Sequence, residues 1–313
     1  MIIKNYSREN QIAILKNTKT YQLDNTSAKK YSKLGDYVML VKLKLSLLVV
    51  FTSIMSYLVV AGSNASLVSI ILLGLGGFLT TAAANALNQV LEKDHDKNMK
   101  RTADRPITTG RMKSSEAVMF AGLSCLVGVS MLALFNPLTS LLGMLSLICY
   151  AFVYTPMKRY STSAVAIGAI PGALPALIGC TAFEGTITAF GIGIFALQFL
   201  WQFPHFWAIG YLSYDDYKNA GYKLLPEDEA GKVDRSLGLH STMYALMMIP
   251  VIGMMFYFGS VSFIASILVL VTSLIYIGFS LNFHHKFDRK SGLKLMFYSF
   301  VYLPLILVSY LIF

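Results

Sequence analysis

The segment Asn88–Thr102, NQVLEKDHDKNMKRT, gathers side chains that could hold a metal ion. Asn88, Glu92 and Asp96 are spaced four residues apart, so they share one face if the segment is helical. Oxygen ligands of this kind suit Mg²⁺, which takes one or two carboxylates together with substrate phosphates. The spacing therefore predicts a magnesium site formed by Asn88, Glu92 and Asp96.

Basic side chains follow these oxygen ligands along the chain. Lys97, Lys100, Arg101 and Arg105 could hold phosphate oxygens, and we expect Arg101 and Arg105 to bind substrate. The same charges could instead belong to a solvated connector between two helices. Ligands at helical spacing followed by the pattern RT-x-x-RP favour a magnesium–diphosphate site.

A second polar segment, SYDDYKNAGYKLLPEDE, covers residues 213–229. Asp215 and Asp216 are predicted to ligate a second Mg²⁺ on the other side of the same diphosphate, which would neutralise the leaving group from both sides. Lys223 is predicted to donate to the substrate. The alternative is a hydrated loop, and that is the favoured interpretation for residues 227–229.

Basic residues also lie beside two apolar segments elsewhere in the chain. Lys158 and Arg159, in the segment YTPMKR, either clamp a diphosphate or anchor the topology, and we group Tyr154 with them as substrate-binding. Lys42 leaves the same two interpretations open.

His205 lies in the aromatic segment QFPHFW. A single histidine in such a setting can be a satisfied interfacial residue, a ligand of haem iron or a base. We predict that it acts in catalysis together with Asn88, Asp96 and Asp216. No histidine belongs to a zinc pattern, so structural zinc is not indicated.

The elements that must position these residues are apolar. Of the 313 residues, 55% are hydrophobic and 13% are charged, whereas a soluble domain carries about 25% charged residues. Nine apolar runs approach the roughly 20 residues that a membrane span needs. They lie at about 37–61, 66–90, 115–135, 138–157, 164–183, 187–210, 237–258, 261–282 and 293–313. Because lipid forces each segment to satisfy its own backbone, these runs predict an all-α bundle of nine transmembrane helices.

The basic residues predict the orientation of that bundle. All 26 Lys and Arg residues fall in the N-terminal segment, at the start of the first run, or in the connections from even to odd runs. The positive-inside rule then makes residues 1–36 a cytoplasmic tail and places the polar loops of the domain 37–313 on the same side. The net charge of +10 reports orientation and contact with anionic lipid, so no nucleic-acid partner is expected.

Several motifs together resemble the UbiA-type intramembrane prenyltransferases, and within them the branch that accepts haem. They are NQVLEKDHDKNMKRT with the following DRP, YTPMKRYS, GAIPGALPALIG, PHFWAI and DYKNAGYKLLP. The resemblance covers about residues 37–313. It implies a nine-helix bundle, Mg²⁺, farnesyl diphosphate as donor, and the 2-vinyl group of haem B as acceptor. Water addition would complete a product used in haem A and terminal-oxidase biogenesis.

The resemblance also implies roles for particular residues. It places the metal and diphosphate positions on Asn88, Glu92, Asp96, Arg101 and Asp216, with Lys158, Arg159 and the His205 motif as further matches. This chain departs from the pattern at Glu92, where the family usually has Asp. It also departs at Lys42–Lys44, where the family often shows Lys-Pro-Arg, and in the acidic run 227–229.

Other interpretations remain open. A sister prenyltransferase that acts on an aromatic or quinone precursor would use the same diphosphate site. A haem-binding membrane chaperone would not need the acidic loops, and a transporter usually places ionisable residues in mid-membrane. The expected location is the cell inner membrane, or the mitochondrial inner membrane in a eukaryote, with haem A synthase or oxidase assembly factors as expected partners.

Overall fold

The computed structural model describes residues 31–313, so most of the predicted cytoplasmic tail, residues 1–30, lies outside the described residues. Asp36–Phe313 forms one compact unit. In the described part of the chain the regular structure is helical, apart from one isolated bridge between Glu227 and Val233. The predicted all-α class is confirmed.

The helices are numbered in chain order, and two short helical turns, Gly62–Asn64 and Thr155–Met157, are left unnumbered. They are α1 Lys33–Leu40, α2 Leu43–Ala61, α3 Leu67–Asp96, α4 Ser114–Ala133, α5 Pro137–Ile148, α6 Ala164–Glu184, α7 Ala189–Leu212, α8 Tyr214–Asn219, α9 Ser236–Leu246, α10 Met248–Tyr257, α11 Phe263–Lys286 and α12 Arg289–Ile312. A π-helical segment, Cys149–Tyr154, continues α5.

Within residues 31–313, nine helical stretches are long and apolar enough to cross a membrane, which confirms the predicted number of spans. The fourth stretch runs from α5 through the π-helical segment to Met157, and the seventh combines α9 and α10. The second stretch is longer than predicted, because α3 continues to Asp96 rather than ending near residue 90. Glu92 and Asp96 therefore belong to the same helix as Asn88.

The prediction of one continuous helix over residues 37–61 is wrong. The chain breaks between α1 and α2, where Lys42 adopts a left-handed backbone with φ 48°. Two amides of α3 hold this break. Asn85 Nδ2 donates to the Val41 carbonyl at 3.2 Å, and Gln89 Nε2 donates to the Leu40 carbonyl at 3.0 Å. These bonds satisfy carbonyl groups that the interrupted helix leaves free, so they stabilise the break.

Two prolines lie inside α6 without ending it. Pro175 has no N–H, so the carbonyl of Pro171, four residues earlier, lacks its helical donor. The hydroxyl of Ser146 donates to that carbonyl at 3.2 Å. A neighbouring helix thus supplies the hydrogen bond that the proline removes, as the apolar membrane interior requires.

Close helix packing encloses α6 and α7, which are the most buried of the spans. Gly179 of α6 lies against the backbone of Ser53 in α2, where a Cβ would collide with the Ser53 carbonyl. Small residues permit such approaches between membrane helices. The outer faces of the bundle carry large exposed apolar side chains that suit contact with lipid.

Candidate active site

A cavity of about 620 Å³ lies among the spans and is lined by two kinds of side chain. Its volume falls within the roughly 300–1,000 Å³ that is typical of ligand pockets. The charged and phenolic part of the wall consists of Lys42, Asn88, Glu92, Asp96, Arg101, Arg105, Tyr150, Tyr154, Lys158, Tyr217 and Tyr222. The apolar part includes Leu45, Leu48, Phe51, Trp201, Phe206, Phe300, Leu303 and Pro304, with His205 beside them. The cavity therefore suits a molecule with an anionic head and a large apolar body.

The last turns of α3 supply the oxygen ligands predicted from the sequence. Asn88, Glu92 and Asp96 all line the cavity, and their relative exposures are 1%, 3% and 1%. They share one helix face because the spacing of four residues approximates one helical turn. The structure thus brings together the three residues expected to bind Mg²⁺.

Each of these buried oxygen groups has a basic partner. Lys42 Nζ donates to Asn88 Oδ1 at 2.9 Å, and Lys158 forms an ion pair with Glu92. Arg105 lies 2.6 Å from Asp96 Oδ2. Buried carboxylates require such charge partners, since leaving one unpaired is costly. The result is a network in which acids and bases alternate around one end of the cavity.

Arg105 is positioned by the loop between α3 and α4. The Thr102 hydroxyl donates to the Asp96 carbonyl at 3.0 Å, which ties the loop to the end of α3. Further along the loop, Arg111 bonds both Asp36, at 2.8 Å, and Asp104, at 2.9 Å. The loop is therefore fixed on both sides of Arg105, and the guanidinium is held against Asp96.

Lys42 reaches the cavity because the backbone break between α1 and α2 turns it towards α3. Burial, and after it the nearby Arg105 guanidinium, holds the pKa of the Lys42 ammonium well below its ordinary range. An anion that entered the cavity would favour the charged form. This amine is therefore suited to binding a negatively charged substrate group.

Tyrosine rings surround the second amine. The Lys158 Nζ lies 4.9 Å from the ring centre of Tyr154 and 5.3 Å from that of Tyr222. Such contacts stabilise an ammonium that is shielded from water. Burial, followed by the Glu92 carboxylate, raises the pKa of the Tyr222 hydroxyl, so this phenol stays protonated.

Three of these tyrosines were not singled out in the sequence. Tyr150, Tyr217 and Tyr222 line the cavity, and the Tyr217 hydroxyl accepts a 2.9 Å hydrogen bond from Arg101. Tyr217 and Tyr222 belong to the DYKNAGYKLLP motif, whose acids and lysines were the predicted ligands and donors. Membership of this motif was therefore the sequence feature that could have identified Tyr217 and Tyr222 as site residues.

His205 lines the cavity from α7, beside α12. Its Nδ1 is 2.7 Å from the Ser299 hydroxyl, and its ring stacks on Trp201 with 4.8 Å between ring centres. Phe300 contacts it edge to face at 5.1 Å. This histidine therefore belongs to the aromatic side of the cavity rather than to the charged network.

Four predicted site residues do not line the cavity. Asp215 is exposed and Asp216 partly exposed in the first turn of α8, so their predicted role as ligands of a second metal stays a prediction. Arg159 donates to the carbonyl of Leu91 at 2.8 Å, outside the cavity wall. The backbone of Lys223 contacts that of Lys158, because the Lys223 N–H donates to the Lys158 carbonyl at 2.7 Å.

The acidic run after this motif behaves as a solvated segment. Glu227 pairs with Lys218 at 3.1 Å, and both side chains are more than 40% exposed. The expectation that residues 227–229 are solvated acids agrees with this pairing. Lys97 likewise pairs with Asp94, at 3.0 Å on the exposed side of α3.

A helical membrane bundle with a buried acid–base cluster at one end of an apolar cavity defines an intramembrane enzyme for amphipathic, anionic substrates. Residues 49–301 match the sequence model of the UbiA prenyltransferase family. The chain belongs to this family.

Relatives and solved structures agree with that assignment. The protoheme IX farnesyltransferase of Cytophaga hutchinsonii is 36% identical over 282 residues, which cover 90% of this chain and 98% of that protein. The enzyme of the same name from Opitutus terrae is 36% identical over 286 residues, covering 90% of this chain and 96% of the relative.

Among solved structures, a UbiA homolog from Archaeoglobus fulgidus bound to GPP and Mg²⁺ superposes with a TM-score of 0.58 at 16% identity. The match covers 88% of this chain and 99% of that one, and this likeness shows the fold.

Proposed function

We propose that this chain transfers the farnesyl group of farnesyl diphosphate to the 2-vinyl group of haem B, with addition of water, to form haem O. The observation that carries the proposal is the single cavity that joins a buried acid–base cluster to an aromatic wall. One end suits a diphosphate, and the other suits an isoprenoid chain and a porphyrin. The two relatives named protoheme IX farnesyltransferase support this choice of acceptor.

The oxygen donors of α3 fit Mg²⁺. Asn88, Glu92 and Asp96 are buried, carry oxygen ligands and face one cavity. In the described part of the chain, no group of three or more His, Cys, Asp and Glu side chains could hold a metal by itself. A metal here would take its remaining ligands from substrate, which is how Mg²⁺ commonly binds. The archaeal homolog bound to GPP and Mg²⁺ supports this arrangement.

When bound, Mg²⁺ would neutralise charge on the departing diphosphate and so help the allylic C–O bond to ionise. The side chains of Lys42, Arg105 and Lys158 contribute to the same end. These basic side chains already pair with Asn88, Asp96 and Glu92. An incoming diphosphate would therefore replace some of these contacts with its own oxygens, and the basic groups would need little rearrangement. Arg101, held by Tyr217, extends the cationic wall.

The apolar wall performs the second task, which is to protect the farnesyl cation. Trp201, Phe206 and Phe300 face the cavity, where their rings would stabilise positive charge and exclude water. Exclusion of water matters until the vinyl group has attacked the allylic carbon. Capture of the resulting porphyrin-stabilised cation by water would then release one proton and leave the hydroxyl group.

The chain is a multi-pass membrane protein, and we propose that its site opens on the cytoplasmic side of the plasma membrane. The support is the restriction of every Lys and Arg to the N-terminal segment, the start of the first apolar run and one set of connections. Haem A synthase or oxidase assembly factors remain proposed partners, because they would consume the product.

The test is an assay of the purified protein in detergent with haem B, farnesyl diphosphate and Mg²⁺. We expect a pigment heavier by a farnesyl group plus a hydroxyl group, detected by chromatography and mass spectrometry and absent with EDTA. Asp96→Asn should abolish it, whereas Asp94→Asn, on the exposed side of the same helix, should not. Transfer to a phenolic acceptor instead of haem would assign the chain to a sister branch of the family.

A further inference from the structure

Ser299 determines which nitrogen of His205 carries the proton. The Ser299 hydroxyl lies 2.5 Å from the carbonyl oxygen of Met296 and 2.7 Å from His205 Nδ1. A hydroxyl group has one proton to donate. The Ser299 hydroxyl donates that proton to the Met296 carbonyl oxygen, because at this distance two oxygen atoms without a hydrogen between them would repel each other. The hydroxyl therefore accepts from His205, so Nδ1 carries the hydrogen.

The other nitrogen, Nε2, is consequently left with a lone pair in the neutral ring. Within residues 31–313, no hydrogen bond joins this atom to the protein. The neighbouring Trp201 indole cannot serve as its donor, since its N–H already donates to the Ser299 carbonyl at 2.9 Å. Phe300 has no polar hydrogen. His205, whose side chain lines the cavity within an aromatic wall, therefore has one ring nitrogen with a free lone pair.

The residues around His205 Nε2 restrict which metal this nitrogen can ligate. A free metal ion would find one ligand here, because no group of three His, Cys, Asp or Glu side chains forms anywhere in the described part of the chain. Haem iron differs, because the porphyrin already supplies four ligands and the protein needs to add only an axial one. The aromatic and apolar neighbours of His205 suit a porphyrin face.

We propose that His205 Nε2 is an axial ligand of the iron in the haem acceptor, and that Ser299 is the positioning residue that fixes the required tautomer. The proposal rests on the proposed function, which supplies haem as a substrate. A histidine ligand commonly donates its second N–H to a fixed acceptor, and Ser299 Oγ occupies that place. The enzyme would then select its acceptor by the iron as well as by the vinyl group.

Porphyrin binding without any prenyl donor tests this assignment. The full-length protein in detergent is titrated with ferric haem B and, separately, with metal-free protoporphyrin IX, which carries the same vinyl groups. We expect wild type to bind haem more tightly, with absorption and EPR spectra of histidine-ligated iron. His205→Ala should weaken haem binding on the order of tenfold or more, while affinity for protoporphyrin IX changes little.

Three further variants sharpen the test. Added imidazole should restore the spectrum of ligated iron in His205→Gly. Ser299→Ala should weaken haem binding about tenfold while leaving protoporphyrin IX binding unchanged. His285→Ala is the matched control, because this histidine is exposed and lies outside the cavity.

Two outcomes would overturn the proposal. One is a His205→Ala protein that binds haem with the wild-type spectrum. The other is equal weakening of both porphyrins without rescue by imidazole, which would show a structural role. The proposed function fails separately, since a wild-type protein that ligates haem through His205 but forms no prenylated pigment would refute the reaction alone.

Discussion

Gln89 Nε2 lies 3.0 Å from the carbonyl oxygen of Leu40, so the helix that carries the predicted metal ligands also fixes the break that aims Lys42. A second bond, from the same nitrogen to the Met39 carbonyl at 2.9 Å, strengthens the contact. Gln89 and Asn88 are adjacent in sequence, and they hold the backbone before Lys42 and its amine, respectively. One turn of α3 therefore determines the position of this cation.

This relationship predicts a coupling between Gln89 and Lys42. Gln89→Leu should raise KM for the prenyl diphosphate on the order of tenfold, because loss of the bonds to the carbonyls frees the break and misplaces the amine. In a Lys42→Ala background the same substitution should have little further effect on KM, since the amine that Gln89 positions is absent. Steady-state kinetics on the four proteins of the cycle measures the coupling. Additive effects would show that Gln89 contributes packing only.

Glu92 gives a prediction about metal dependence. Glu92→Gln should raise the Mg²⁺ concentration for half-maximal activity by about tenfold or more, since it replaces a carboxylate that we propose as a metal ligand by a neutral amide. The KM for haem should stay near wild type, because the proposed haem contacts lie on the other wall of the cavity. Titration of activity with Mg²⁺ measures the effect. An equal rise in both quantities would indicate general damage to the site.

Arg105 should stabilise the fold as well as bind substrate. Arg105→Gln removes the guanidinium that lies 2.6 Å from buried Asp96, and we expect a loss of about 2 kcal/mol of stability. Thermal unfolding in detergent checks this value. Lys97→Gln breaks only the exposed pair with Asp94 and should leave the unfolding temperature unchanged. Equal melting of both variants would contradict the assignment of Arg105 to a buried network.

Gly179 should be essential for the contact between α2 and α6. Gly179→Ala places a methyl group against the Ser53 carbonyl, and overpacking of this kind costs about 1–3 kcal/mol. Gly253→Ala is the matched control, because nothing lies near the Cβ position there. Thermal unfolding compares the two. An unchanged unfolding temperature in the Gly179 variant would show that the helices separate easily.

Local sequence features were sufficient to predict the spans and one face of the site. Asn88, Glu92 and Asp96 could be placed together because helical spacing alone puts them on one face. The break at Lys42 could not be predicted, because it depends on amides of Asn85 and Gln89 that lie more than 40 residues away in sequence. Composition shows a hydrophobic run there, and no local residue marks its interruption.

In the second polar segment, residues 213–229, the sequence did not predict which side chains reach the cavity. Its acids were the obvious candidates for chemistry, yet Tyr217 and Tyr222 reach the cavity while Asp215 does not. In a short loop after a helix, the direction of each side chain depends on where the chain turns. Sequence spacing therefore indicated a segment that reaches the cavity, but not which of its side chains line the wall.

The π-helical segment Cys149–Tyr154 lets the fourth span absorb a change in its length at this place. A π-helix bonds residues five apart, whereas an α-helix bonds residues four apart, so the segment holds about one residue more for the same winding. Deleting one residue within it would let the segment wind as an α-helix and leave Lys158 facing Glu92 and the tyrosine rings. Deleting one residue from α5 would instead rotate everything beyond it by about 100°, the advance of an α-helix per residue. Gaps between Asn136 and Lys158 in alignments of relatives should therefore fall within residues 149–154.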